Sequence, residues 1–411
     1  MEGPAAVSQQ AEIAAGPTVV PGQPARTRLP DMTYTEQEAE LRSAVRSVLD
    51  DRAGFNAVLA RTETAETYDK GLWRTLAADI GCAGLLIPDS LGGAGASFRE
   101  AAVVAEEIGR SVAPVPFLGS AVLATVALLS AAHDGAAGGQ TAQLLTDLAA
   151  GTTTAALAVP FAAMPGASIS RTVRVGPAVD GDSEGTYRLA GSVTGVADGL
   201  PADVLIVPAD GVPFGLFAVR ADDRGLTKTP IVSLDMTRQL CALGLDNVQA
   251  SRIAAGQQAD QAISAALQAG AAMLAAEQLG LADRALEITL AYVKQRYQFA
   301  RPIGSFQAMK HRLADWWVAV TQARAASRYA AACLAEGDPD TPVAVALAKA
   351  ACSDTAVLAS QEMIQLHGGI GFTWEHPAHL FLKRAKSTSI ALGTADRHRG
   401  TLASLVDLPA A

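Results

Sequence analysis

Between Gly151 and about Gly256 the chain abandons helical spacing for short β-prone runs, and this interruption limits its architecture more than any other feature. The runs read TTTAALAVP, SISRTVRVG, TYRLAGSVTGV, DVLIVPA, FGLFAV and TKTPIV, bounded by Gly, Pro or Asp. Runs of that length between turn residues predict an antiparallel sheet or barrel. Before them, EQEAELRSAVRSVLDD, YDKGLWRTLAADIG and FREAAVVAEEIGRSVAP carry apolar residues at helical spacing, with Gly81 and Pro114 as stops. LLIPDSLGGAG reads as a loop, and helical text continues from Phe117 to about Ala150. After the β region a long helix is expected from Asp260 to about Gln298. Further helices follow, broken at Arg301-Pro302, at GDPDTP and at HGGIG. The reading is an α+β protein, mostly α. It divides into a disordered tail (1–30), an N-terminal helical domain (31–150), a middle β-barrel-like domain (151–255) and a C-terminal four-helix bundle (256–411).

Composition narrows the function classes. The 32 basic and 41 acidic residues leave a net charge of −9, with no run of Lys or Arg, which argues against nucleic acid as a partner. An acidic chain can still hold a polyanionic ligand through a few placed arginines and helix N-termini. Cys82, Cys241, Cys333 and Cys352 lie far apart, so neither a sequence-local metal site nor a disulfide framework is expected. The first thirty residues lack a basic stretch followed by an apolar one. The alanine-rich run Ala262–Ala276 is too short to span a bilayer. A cytoplasmic protein without a membrane partner is the expectation.

Two strings carry the functional reading. The first is RYQFARPIGSFQAMKHRLADW, 296–316, and the second QLHGGIGFTWEHP, 365–377. Alone, Arg296 reads as a solvated cation at a helix end. Alone, the Gly368-Gly369 pair reads either as a helix corner or as backbone left open to a ligand phosphate.

In this order and spacing the two strings resemble the acyl-CoA dehydrogenases. That family has an Arg, a Gln- or aromatic-Phe pair, a Pro-Ile and a Phe-Gln, then a Gln-x-x-Gly-Gly-x-Gly loop some sixty residues on. LWRTLAADIGCAGLLIPDSLGGAG is similar to the family's N-terminal helical domain. The resemblance implies FAD as cofactor and an acyl-CoA thioester, of a fatty acid or sterol side chain, as substrate. It also implies a tetramer and electron-transfer flavoprotein as redox partner. It places Arg296, Gln298, Phe306 and Gln307 on the adenosine and pyrophosphate end of a neighbour's FAD. Gln365, Gly368 and Gly369 would close over the same end, with Thr394 a further cofactor contact.

Three departures from the family pattern matter. The reaction removes an α-proton while a β-hydride leaves for flavin, so it needs a carboxylate base. The family's Tyr-Glu-Gly-Thr string is here Ala391-Leu392-Gly393-Thr394, and the alternative base position falls on Gly270. The flavin-facing Glu-Pro-x-x-Gly-Ser-Asp and Trp-Ile-Thr strings are replaced by VPFAAMPGAS and SVTGVADGLPADVLIVP. No catalytic residue is therefore assigned. Glu277 is a candidate for a displaced base, on the same helix face as Gly270 but roughly 10.5 Å along the axis. A structural role, buried or paired with Arg284, is the better reading for it. His367 is expected to bond backbone.

The pattern resembles the glutamate-lacking partner subunit of two-subunit bacterial acyl-CoA dehydrogenases, in which one subunit completes a shared FAD site. Its companion would be a base-bearing dehydrogenase subunit in an α2β2 assembly. The alternatives are a self-sufficient homotetramer with a relocated base, a flavin-dependent monooxygenase of the same fold, and a non-enzymatic CoA- or acyl-binding protein.

Overall fold

Helix α1, Glu36–Arg52, starts where Thr35 and Glu38 form a reciprocal capping box, which satisfies two otherwise open N–H groups. The computed structural model describes residues 30–408 apart from 65, 67, 133–138, 170 and 177–185. The expected tail lies outside the described residues except for Pro30. Helices α2 (Phe55–Thr62), α3 (Lys70–Arg74), α4 (Phe98–Ser111), α5 (Thr125–Ala132) and α6 (Gly139–Ala149) follow, with a π-helical segment at Phe117–Ala124 leading into α5. Gly81 takes φ +84°, as its role as a stop requires. The segment before α1 is tied to the distant C-terminal half by Arg328, which donates to the Met32 and Thr33 carbonyls and to Glu38.

The β region forms a seven-stranded sheet from β1 (Ala155–Leu157), β2 (Val173–Val175), β3 (Thr186–Ala197), β4 (Val204–Ala209), β5 (Gly215–Arg220), β6 (Leu226–Ile231) and β7 (Leu240–Ala255). Long β7 pairs with β3, β5 and β6, so it is the spine of the sheet. The pairing departs from the expected antiparallel pattern where β1 runs parallel to β4 and at an isolated parallel bridge between Arg174 and Asp210. Alternation along each strand splits the burial. In β4, Ile206 joins the helical core while Leu205 and Val207 join a separate core with Leu189, Phe217 and Leu243.

Helix α7, Gln257–Gln295, begins and ends three residues earlier than the sequence suggests. Its polypeptide turns at Arg296 into a short hairpin of β8 (Tyr297–Gln298) and β9 (Arg301–Pro302). Helices α8 (Gln307–Glu336), α9 (Thr341–His367), α10 (Ala378–Ile390) and α11 (Ala395–Leu405) complete the bundle. Glycine lets α4 and α7 touch backbone to backbone. A Cβ on Gly109 would lie 2.0 Å from the Glu277 carbonyl oxygen, and one on Gly280 would lie 1.9 Å from that of Glu106. The segment Thr341–Phe372 is long and apolar enough to cross a membrane, a stretch the sequence reading passes over; 67% of its most apolar window is buried inside the protein, as befits a bundle's central helix. All four cysteines are buried, and none is in a disulfide.

Candidate functional site

The two positions that carry a base in the resembling family meet in space. A Cβ built on Gly270, midway along α7, would lie 3.2 Å from a methyl of Leu392 and 2.5 Å from one of Leu123 in the π-helical segment. Leu392 is fully buried, Leu123 nearly so, and the three atoms nearest that Cβ all belong to these two side chains. The place where a proton would be taken is packed hydrocarbon.

The turn carrying Leu392 is fastened from several sides. Its backbone sits at φ +52°, unusual for a branched side chain. Leu392 N–H donates to the Phe161 carbonyl at 2.7 Å, and His398 Nε2–H donates to the Leu392 carbonyl at 2.8 Å. A Cβ on Gly393 would meet Met164 at 2.9 Å. Phe161 and Met164 belong to VPFAAMPGAS, so the loop that replaces the flavin-facing string is packed onto the turn. Farther along, a cavity of about 420 Å³ between residues 166–169, Arg171 and the start of α7 is straddled by the Arg171–Asp260 ion pair.

Lys349 on α9 grips the same turn. Its buried Nζ donates to Ser353 Oγ at 2.8 Å, the Thr388 carbonyl at 3.1 Å and the Gly393 carbonyl at 3.3 Å. Burial pushes its ammonium down to about 7. The unfolded chain therefore holds the extra proton between pH 7 and the free value near 10.4, and stability rises with pH across that window. Urea melts from pH 7 to 9 are expected to show a positive slope that Lys349→Met flattens, by at most about 1.4 kcal/mol per pH unit. Parallel slopes for the two proteins would refute this.

Glu277 is not placed to act as a base. Its carboxylate is buried between Arg238, at 2.5 Å, and Arg384, at 2.7 Å. Arg384 also reaches Thr237 Oγ1 and Asp235. Burial alone would push the Glu277 carboxyl up, but the two guanidinium groups outweigh it and hold it below its ordinary value. The expected partner Arg284 instead pairs with exposed Glu287. That correction has a simple cause: residues seven apart on α7 share a face, and Glu277's face is met by β6–β7 and α10, which no helical spacing reveals.

The expected cofactor contacts fall in two places. Thr394 caps α11 by accepting from Arg397 N–H, close to the Leu392 turn. The others lie around the C-terminal ends of α7 and α9, on the hairpin and at the start of α8. Arg296, Gln298, Gln307, Gln365, Gly368 and Gly369 are exposed and Phe306 is half-buried. Tyr292 joins the two strings, a link that sequence reading missed. Its carbonyl accepts from Arg296 N–H at 2.8 Å, and its ring stacks 4.3 Å from that of His367. Tyr292 precedes Arg296 by one helical turn, the only signal that could have found it. His367 Nδ1–H donates to the Met363 carbonyl at 2.7 Å, as a backbone-bonding histidine should.

This surface fits an anionic ligand brought from outside. Arg296 has no acidic partner among the described residues. Gly368 takes φ +61° and ψ −138°, which a side chain would resist, whereas a Cβ on Gly369 would meet nothing within 4 Å. Nothing in the chain's own packing requires glycine at 369, and its bare backbone faces outward. The hairpin tip is strained toward the same exterior: Phe299 and Ala300 have φ +50° and +60°, a turn that favours Asn-Gly, and the Phe299 side chain is 89% exposed. Phe372, at 77%, and Trp374, at 59%, are exposed aromatics just after the glycine pair in the chain. Pyrophosphate is met by guanidinium forks and backbone N–H groups, and this surface offers an exposed Arg296 and exposed glycine backbone. The loop that replaces the family's flavin-facing string instead sets Phe161 and Met164 against the Leu392 turn.

Comparison with known proteins agrees with the fold and the motifs. The model of the acyl-CoA dehydrogenase N-terminal domain matches residues 35–152, and that of the C-terminal domain matches residues 260–406. The chain is 37% identical over 358 residues to acyl-CoA dehydrogenase IpdE2 of Mycobacterium tuberculosis, covering 87% of this chain and 93% of that one. It superposes on the ChsE4-ChsE5 complex from Mycobacterium tuberculosis with TM-score 0.79 and 29% identity, covering 93% and 100% of the two chains. A Tcur3481-Tcur3483 steroid ACAD variant gives TM-score 0.76 at 30% identity, covering 90% and 98%. With matches over both helical regions and nearly the whole length of IpdE2, the chain belongs to the acyl-CoA dehydrogenase family, FAD-dependent oxidoreductases that act on CH–CH groups.

Proposed function

We propose that this chain is the base-lacking subunit of a two-subunit acyl-CoA dehydrogenase, completing the FAD site of a companion subunit in an α2β2 assembly. One contrast carries the reading. Hydrocarbon fills the joint position of both family bases, whereas Arg296 stands exposed with no acidic partner among the described residues and the Gly368-Gly369 backbone is exposed. Bound FAD would take the β-hydride of an acyl-CoA thioester and pass electrons to electron-transfer flavoprotein. This chain's residues would only bind and orient: Arg296 and the Gly369 N–H toward pyrophosphate, with Gln298, Gln307 and Gln365 about the adenosine. The similarity to the ChsE4-ChsE5 complex and to a steroid ACAD supports a companion subunit and a sterol side-chain thioester as substrate. The assembly would work in the cytoplasm. A self-sufficient homotetramer would need another base, and the two arginines holding Glu277 count against that one.

Removing the Arg296 side chain tests the reading. A charge-assisted contact to phosphate is worth about 1.5–3 kcal/mol, roughly ten- to hundredfold in affinity. An exposed substitution of this kind usually costs less than ~0.5 kcal/mol of stability. In the assembly co-purified with its companion, Arg296→Ala should lose FAD on dilution while melting of the flavin-free protein stays unchanged. Arg284→Ala, on the same helix, should retain it. Equal flavin absorbance per assembly in all three proteins after gel filtration would count decisively against the site.

A further inference from the structure

We propose that Arg301 is a second arginine of the pyrophosphate clamp, and that Phe306 acts as the platform that orients it. This rests on the shared FAD site proposed above and adds a residue outside the set read from the sequence. In the β8–β9 hairpin Gln298 pairs directly with Arg301, and directly paired residues project from one face of an antiparallel ladder. Side chains alternate along a strand, so Arg296, two residues before Gln298, belongs to that face as well. The Ile303 N–H bond to the Arg296 carbonyl, 2.8 Å, extends the ladder by one step and keeps Arg296 in register. Arg296 and Arg301 are thus diagonal neighbours, with backbones roughly 7–8 Å apart, within reach of adjoining phosphates for two side chains of this length.

Arg301 is exposed and, like Arg296, has no carboxylate partner among the described residues. It is nevertheless held. Its guanidinium carbon lies 3.8 Å from the centroid of the Phe306 ring, and Phe299 meets that ring edge-on at 6.3 Å. A planar cation stacked on an aromatic face keeps its N–H edge free for an anion and loses less freedom on binding. With one face of Phe306 under Arg301 and Phe299 against it, the half-buried ring serves the arginine, in place of the direct cofactor contact that the resemblance implies. A pyrophosphate diester carries two negative charges, so a second fork leaves neither to be neutralised by backbone dipoles alone.

The test compares Arg301→Gln, Arg296→Gln and Phe306→Leu in the assembly with its companion subunit, reading FAD dissociation by the rise in flavin fluorescence. Circular dichroism and melting of the flavin-free proteins report folding. Arg301→Gln is expected to weaken FAD binding about ten- to hundredfold and to make it less sensitive to salt. Phe306→Leu should weaken it less, and combining it with Arg301→Gln should add almost nothing beyond Arg301→Gln alone, the mark of one residue acting through the other. Arg301→Lys should recover only part of the loss, because an ammonium neither stacks nor forks. If Arg301→Gln holds FAD as the unmodified assembly does while Arg296→Gln loses it, the proposal fails and the shared site stands. If neither substitution matters, the shared site itself is wrong. Full additivity of Phe306→Leu and Arg301→Gln would return the ring to an independent contact and overturn the platform role.

Discussion

Purified without a companion subunit, the chain is expected to dehydrogenate acyl-CoA thioesters at least about 10²–10⁴-fold more slowly than a family member that carries the base. An α-proton is removed only by a group within hydrogen-bond reach of it. Gly270 offers no side chain, Leu392 offers a methyl, and Leu123 closes the space between them. Leu392→Glu alone should not restore turnover. Phe161 and Met164 still occupy the turn's flank, and a carboxylate buried beside Leu123 would stay protonated. Dye-coupled assays across short, medium and sterol side-chain thioesters check both statements. Rapid turnover by the lone chain would place a base somewhere that neither family position marks.

Glu277→Gln is expected to destabilise the fold by about 3–5 kcal/mol, because it leaves two buried guanidinium groups without their counter-charge. Arg384 keeps Asp235, at 3.5 Å, the Thr237 hydroxyl and the weaker field of buried Asp198. The network joins the β6–β7 connection to α7 and α10, so the loss should loosen the sheet's seat on the bundle. Because the carboxyl is held below its ordinary value, its contribution is full above the unfolded value near 4.3 and fades as pH falls through the lower folded one. Thermal melts at pH 7 would show the drop, and the gap between the two proteins should narrow in acid. A catalytic base would give the opposite signature, a changed rate with an unchanged melt. If Glu277→Gln melts like the unmodified protein, the ion-pair role assigned here is wrong.

Much of the organisation was legible in the residues. Helical spacing in 36–52 and 98–111, β-prone runs after Gly151 and breaks at Arg301-Pro302, GDPDTP and HGGIG are local signals, and local backbone preference decides them. That Leu392 and Gly270 stand where the resembling family carries a carboxylate was legible too, since residue identity needs no geometry. Fold and family followed from these, and the comparisons with known proteins agree.

Tertiary structure decided which residues keep company. The sequence could number Gly270 and Leu392 as two vacant base positions but not show that they touch, or that Leu123 fills the space. It offered Arg284 for Glu277 because i,i+7 neighbours on one helix are all that periodicity can propose; the real partners arrive from β6–β7 and α10. Tyr292, tying the ends of α7 and α9, and Arg301, stacked on Phe306, belong to the same class. Helix and strand periodicity specify the face on which a side chain lies, and this much was available from the chain alone. What meets that face is set by the packing of segments a hundred residues apart, and for a buried charge or an exposed arginine that neighbour determines whether the group is a base, a strut or a clamp.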